Sequence, residues 1–248
     1  MVQLPSQLPD TVHLSVSKTT YQLIAPLPWV TPLLYKQFNA SVLVDKPTRA
    51  SLGGVQEMAT SKEKRDKHFP LFAHDNLFRR LSENPREYCQ YVTNGQVVAD
   101  LGCGPGYFTL ALAECVGPEG KVYAVDSDEK AIRALEEKAN KSGYHNVEAH
   151  ASSASDLSFI QDGSVDFVLA HGLLCSVAPQ HHESVVNEIK RILKPKRLAY
   201  LSVARGFYSY VDQAEWEKIL EGFRVERRGG DGSFALSDRW ALVSKNPR

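Results

Sequence analysis

Residues 97–112 constrain this chain more than any other stretch. They read Val-Val-Ala-Asp-Leu-Gly-Cys-Gly-Pro-Gly-Tyr-Phe-Thr-Leu-Ala-Leu. The β-branched run Val97-Val98-Ala99 predicts a buried strand that ends on an acid, Asp100. Gly102, Gly104 and Gly106 follow as a turn, and residues 108–115 predict a helix. Strand, glycine turn and helix in direct succession form a nucleotide-type ligand site. Glycine lets a backbone approach its ligand with no Cβ in the way, and a helix N-terminus offers unpaired N–H groups.

The spacing separates two ligand classes. A dinucleotide fold wants G-x-G-x-x-G with a pyrophosphate on the helix dipole. Here the glycines run G-x-G-x-G behind a carboxylate, which repels a pyrophosphate and attracts a cation. Asp100-Leu101-Gly102-Cys103-Gly104-Pro105-Gly106 resembles the first motif of the class I methyltransferases that use S-adenosylmethionine (SAM), in the small-molecule "type 11"-like group. The ammonium and sulfonium of SAM supply the positive charges. The resemblance covers about residues 70–246.

Composition narrows the partners. Lys plus Arg equals Asp plus Glu at 29 each, so binding dominated by a phosphate backbone is not expected. Hydrophobic residues at 43% of a 248-residue chain suffice for a sizeable core. Cys89, Cys103, Cys115 and Cys175 form no C-x-x-C pair. That spacing predicts no metal site and no disulfide framework, and it suggests reduced thiols in a cytoplasmic protein. Residues 1–10 lack the basic start and apolar core of a signal peptide. The most apolar stretch, 23–35, is short for a membrane span and carries Pro26, Pro28 and Pro32.

Residues 1–69 read as an N-terminal extension and 70–248 as the main domain. Residues 12–16 and 41–44 are β-prone, and the proline-rich stretch between them could pack on the core, form a lid or make a homodimer contact. The charged run 61–68 reads as a solvated helix or linker. Asp75 or Asn76 would cap a short helix, and Pro85 would start another through Tyr91. In methyltransferases of this kind a helical segment before the first strand lies over the SAM pocket, which makes His68 and His74 candidates there.

The second strand, residues 121–125, reaches Asp126, whose carboxylate suits ribose hydroxyls. Asp126 or Ser127 is expected to cap the helix behind it, which carries an apolar stripe of Ala131, Ile132, Ala134, Leu135 and Ala139 and stops at Gly143. After a third strand at 146–150, Ala151-Ser152-Ser153-Ala154-Ser155-Asp156-Leu157 resembles the family's loop beside adenine, with Ser153 where an acid is commonest. A fourth strand, 165–170, leads to His171, at the strand end where open α/β sheets place ligands. His171 could act as general base, hold cofactor, or shape the pocket through its backbone. The Asn/Asp-Pro-Pro-Tyr/Phe motif of amino-methylating nucleic-acid enzymes is absent.

Residues 178–193 predict an amphipathic helix. Lys194-Pro195-Lys196-Arg197 resembles the family's Leu-Lys-Pro-Gly-Gly turn with both glycines replaced. The basic cluster Lys190, Arg191, Lys194, Lys196 and Arg197 reads as a helix C-terminus complementing its dipole, with an acidic substrate or an RNA backbone as alternatives. Residues 198–203 predict a fifth strand, 212–221 a helix, and the tail a terminal hairpin.

The expectation is therefore an α/β, three-layer, Rossmann-like fold. It has a seven-stranded mostly parallel sheet, an antiparallel last strand and an N-terminal extension. The resemblance implies methyl transfer from SAM, leaving S-adenosylhomocysteine (SAH), to an acceptor that is most simply a small molecule. An RNA methyltransferase and a SAM-binding module without turnover are the alternatives. Cofactor contacts fall on Asp100, Gly102, Cys103, Gly104, Gly106, Asp126, Ser127, Ser153, Ala154 and His171, with His171 as the catalytic candidate. His74, Tyr107, Tyr208 and Tyr210 are candidates for the acceptor.

Overall fold

The computed structural model describes residues 65–67, 83–204, 209–230 and 239–245, and the backbone of 11–16 and 19–24. His68, His74, Tyr208, the 41–44 run and the helix expected after Asp75 lie outside the described residues. The chain divides into units 1–60 and 61–248. In the first, β1 (Thr11–Val16) pairs antiparallel with β2 (Thr19–Ile24).

Among the described residues the second unit is built on seven strands. They are β3 (Val97–Leu101), β4 (Lys121–Asp126), β5 (Val147–Ala151), β6 (Val165–His171), β7 (Leu193–Val203), β8 (Arg224–Gly229) and β9 (Arg239–Ser244). The central β3 and β6 are near-continuous buried runs because both their faces are covered, while the outer β5 and β8 are more polar and more exposed. Their order across the sheet is β5-β4-β3-β6-β7-β9-β8. The first five run parallel, and β9 is antiparallel to both β7 and β8. The strand order reverses at β3, the position where doubly wound sheets open a ligand crevice.

Alternation assigns the faces. Val98, Val122, Phe167, Leu169 and Tyr200 pack under the 3-10 turn Glu87–Tyr91 and α1 (Thr109–Val116), while Ala124 meets α2 (Glu129–Ser142). Ala99, Leu101, Val168, Ala170 and Leu201 face α3 (His182–Ile192) and α4 (Gln213–Glu221). Val185, Ile189 and Ile192 of α3 are wholly buried there, each contributing about 1.5–3 kcal/mol of transfer free energy.

Several boundaries differ from the sequence expectation. Residues 178–193 are not one helix: the 3-10 turn Pro179–His181 leads into α3, which ends at Ile192. The segment begun by Pro85 is likewise 3-10 rather than α. Strand β7 starts at Leu193, five residues early, because Leu193 pairs with Val165 and Leu198 with Phe167. Between them 194–197 bulge out opposite the single residue Asp166. The buried Asp166 carboxylate holds the bulge, pairing with Lys194 Nζ at 2.7 Å and Arg197 Nε at 3.3 Å and accepting the Val97 N–H. Lys196 sits in the bulge at φ +62°, a conformation glycine adopts more easily.

Four reduced thiols are also not what is found. Cys89 and Cys115 form a disulfide, with Cα atoms 5.8 Å apart. Packing of the 3-10 turn on α1 brings together two residues that sequence spacing leaves unrelated. Cytoplasmic placement, which rested on reduced thiols, gains nothing from this pair. Cys103 and Cys175 are free and buried. Among the described residues no helix is long and apolar enough to cross a membrane.

Candidate cofactor site

The glycine turn leaves β3 at the carboxyl edge of the sheet. Gly102, Gly104 and Gly106 all have positive φ, at +76°, +53° and +88°. The turn is stitched to β4 by N–H groups of Gly102 and Cys103, both donated to the Val125 carbonyl. The Gly104 N–H instead reaches the Asp126 side chain, Oδ2 at 2.8 Å. Gly106 has a packing role: a Cβ there would lie 2.3 Å from Leu135 Cδ1 of α2.

Asp126 is not the helix cap. Asp128 is, accepting the Lys130 N–H through its side chain, while Ser127 is exposed between the two acids. Asp126 Oδ1 accepts the Asp128 N–H at 2.9 Å. Both oxygens of Asp126 are thus oriented by backbone, and a carboxylate oxygen so engaged keeps a lone pair for a further donor.

Asp100 lies beneath the turn, 2% exposed, and Thr109 donates its hydroxyl to Asp100 Oδ2 at 2.6 Å. Thr109 went unnoticed in the sequence. The signal was a hydroxyl at the first residue of the helix after the turn. Burial first, and then the Asp100 and Asp126 carboxylates, push the Cys103 thiol well above its ordinary value. The local field is therefore negative, which fits a cationic ligand carrying ribose hydroxyls and opposes a pyrophosphate.

Beyond β5, Ser153 Oγ bonds Ser155 Oγ at 2.8 Å and accepts the Ser155 N–H, so this hydroxyl serves its own loop. Ala154 is buried, and the Ser152 N–H returns to the Asp126 carbonyl, which ties the 152–154 loop to the tip of β4.

His171 ends β6 on the face that carries α1. Its ring lies 4.8 Å from Phe108 and 5.9 Å from Tyr88, and Tyr88 in turn meets Tyr200 in a tilted contact at 4.8 Å. Tyr88 was also missed. Burial and Tyr200 push its phenol well above the ordinary value, so it stays a neutral donor. Tyr107 donates its hydroxyl to the Glu83 carbonyl at 2.7 Å.

On the other side of the mouth, the Lys67 N–H reaches the Ser176 carbonyl and Asp66 accepts the Ala178 N–H. Tyr210 donates its hydroxyl to the Arg65 carbonyl, and Lys67 Nζ lies 3.6 Å from the Tyr210 ring centre. Residues 65–67 are therefore docked on the loops after β6 and β7, not solvated helix. The structure brings Asp100, the glycine turn, Asp126 and the 152–154 loop to one edge, with His171 and Tyr107 beside them.

A family model described as a methyltransferase domain matches residues 98–196. Curated relatives include a demethylmenaquinone methyltransferase of Geobacillus stearothermophilus, 38% identical over 104 residues, 42% of this chain and 43% of the relative. The aligned region thus spans less than half the length of the curated relatives it matches. A SAM-dependent methyltransferase from Aquifex aeolicus is similar in structure, with TM-score 0.57 and 26% identity over 71% of this chain and 97% of that one. Magnesium protoporphyrin IX methyltransferase from Synechocystis, solved with bound SAM, shares the fold at TM-score 0.50 and 22% identity, over 62% of this chain and 71% of its own. Residues 98–196 thus match a methyltransferase domain, and the sheet order and acid-flanked glycine turn belong to the class I, Rossmann-like fold that this chain shares with solved SAM-dependent methyltransferases.

Proposed function

We propose that this chain transfers a methyl group from SAM to a small-molecule acceptor. The observation that carries the reading is the Asp126 carboxylate, oriented by Gly104 and Asp128 N–H groups at the strand tip beside the glycine turn. Asp126 would hold the ribose hydroxyls, and Gly102 to Gly104 would pass close to the methionine part. The 152–154 loop would lie beside adenine.

SAM supplies a methyl carbon on a positively charged sulfur, open to in-line displacement. The chain's own contribution is alignment and field. Asp100, fixed by Thr109, sets negative charge under the turn. His171, clustered with the Phe108 and Tyr88 rings at the end of β6, would take a proton from an acceptor hydroxyl. Aromatic side chains near His171 favour a planar acceptor of the phenol or quinol kind, in keeping with relatives named for demethylmenaquinone.

The test is SAH formation by the purified chain with SAM and a panel of thiols, phenols and quinols. Turnover on a phenol or quinol, lost in Asp126→Ala and reduced in His171→Ala with an altered pH profile, is the expected result. SAM binding with no turnover on any acceptor would leave a binding module instead.

A further inference from the structure

His182 opens α3 with its ring almost wholly out of water, its side chain 3% exposed. A polar ring at that depth needs a partner for each nitrogen. Nδ1 lies 2.8 Å from Glu215 Oε1 of α4, and Nε2 lies 2.9 Å from the Val177 carbonyl and 3.1 Å from the Leu174 carbonyl. A carbonyl oxygen only accepts, and so does an ionised carboxylate, whereas a neutral imidazole carries one N–H. With the proton on Nε2 alone, the Nδ1 lone pair would point at Glu215. With it on Nδ1 alone, the Nε2 lone pair would point at two carbonyls. Only the doubly protonated ring donates to all of them. Glu215 keeps 23% of its side chain in water, and a carboxylate facing an imidazole yields its proton to the stronger base.

The two carbonyls belong to the turn that follows His171, and every carbonyl from Gly172 to Val177 accepts a bond. The Cys175 thiol takes Gly172, the Ser176 hydroxyl takes Leu173, the Tyr210 N–H takes Cys175 and the Lys67 N–H takes Ser176. His182 takes Leu174 and Val177 from the buried side. The sites on which residues 65–67 dock, the Ser176 carbonyl and the Ala178 N–H held by Asp66, flank the Val177 carbonyl held by His182. Among the charged groups on the surrounding elements, Glu215 bonds the ring directly and Asp212 fixes the start of α4 by accepting the Glu215 N–H. Asp66 comes from the docked segment. The α3 dipole opposes a cation at His182, and Glu183 in the first turn offsets it.

We infer that His182 is a positioning residue in its imidazolium form. Paired with Glu215, it clamps the 174–177 turn and with it the docking of residues 65–67, and loss of its proton loosens both. The part of the mouth held in this way carries Tyr210, an acceptor candidate. A consequence for acceptor binding rests on the methyl-transfer reading, whereas the clamp itself does not.

The test is heteronuclear NMR of the full chain with labelled histidine. Both ring nitrogens of His182 are expected to carry a proton near neutral pH. As pH rises, the Lys67 and Ala178 amide shifts should follow the ring's own titration. Glu215→Gln should abolish that titration yet keep the docking, because a glutamine amide N–H can donate to a neutral Nδ1. His182→Ala should speed amide exchange at Lys67 and Ala178 by at least about tenfold, with Gly104 exchange and SAH affinity unchanged. A His182 ring with one bare nitrogen near neutral pH would overturn the inference without any variant. Lys67 and Ala178 amides indifferent to the ring's titration would overturn it too. Neither readout uses turnover, so a failure of the clamp and a failure of methyl transfer are told apart.

Discussion

The Thr109 hydroxyl sits 2.6 Å from Asp100 Oδ2, and both residues are buried. A carboxylate with 2% of its surface in water depends on such a donor, because removing one partner of a buried charge leaves its desolvation uncompensated. Thr109→Val keeps shape and removes the donor. Urea unfolding should show a loss of about 2–3 kcal/mol, whereas the surface control Ser127→Ala should change stability by less than about 0.5 kcal/mol.

The Cys89–Cys115 bridge closes a loop with a sequence separation of 26. Chain entropy alone assigns such a cross-link about 3.5 kcal/mol. Dithiothreitol should lower the unfolding midpoint accordingly, and a Cys89→Ala, Cys115→Ala double variant should match the reduced protein. Thiol titration of the denatured chain should count two free cysteines without reductant and four with it.

Arg191 beside Glu188 holds that carboxyl below the ordinary glutamate value of 4.5, against the opposing effect of burial and with help from the Leu157 N–H. A folded value below the unfolded one gives stability that is complete above about pH 4.5 and is lost as pH falls through the folded value. Glu188→Gln should therefore be less stable than the parent at pH 7. The difference should shrink steadily below pH 4.5 in parallel urea titrations.

Lys196 occupies the left-handed region in the bulge opposite Asp166. A non-glycine residue there costs roughly 1–2 kcal/mol, partly offset in Lys196→Gly by the greater entropy of unfolded glycine. That substitution should raise stability by about 0.5–1 kcal/mol in a thermal melt. Arg197→Gly should lower it, since Arg197 pairs with Asp166.

Local chemistry made the strand–glycine turn–helix unit and α2 legible, because periodicity, Gly143 and the acids at strand ends act over a few residues. Interactions that depend on distant partners were not. Asp128 rather than Asp126 caps α2, because the Gly104 N–H recruits Asp126 from 22 residues away. The bulge at 194–197 is organised by Asp166 from a neighbouring strand. The clustering of Tyr88 with His171 and the docking of Asp66 at Ala178 arise only once the sheet has folded. Nothing in the sequence of residues 65–67 marks them as docked, since a charged run reads the same on a solvated helix.

The most direct test of the cofactor site is calorimetric titration of SAH into the parent, Asp126→Ala and Asp128→Ala chains, with melting curves on each. Asp128→Ala removes only the cap, about 1 kcal/mol of stability, and should keep its affinity. Loss of two hydrogen bonds to a carboxylate predicts that Asp126→Ala binds SAH at least about a hundredfold more weakly while remaining folded. An Asp126→Ala chain that binds SAH within about twofold of the parent would contradict the assignment of this strand tip to the ribose.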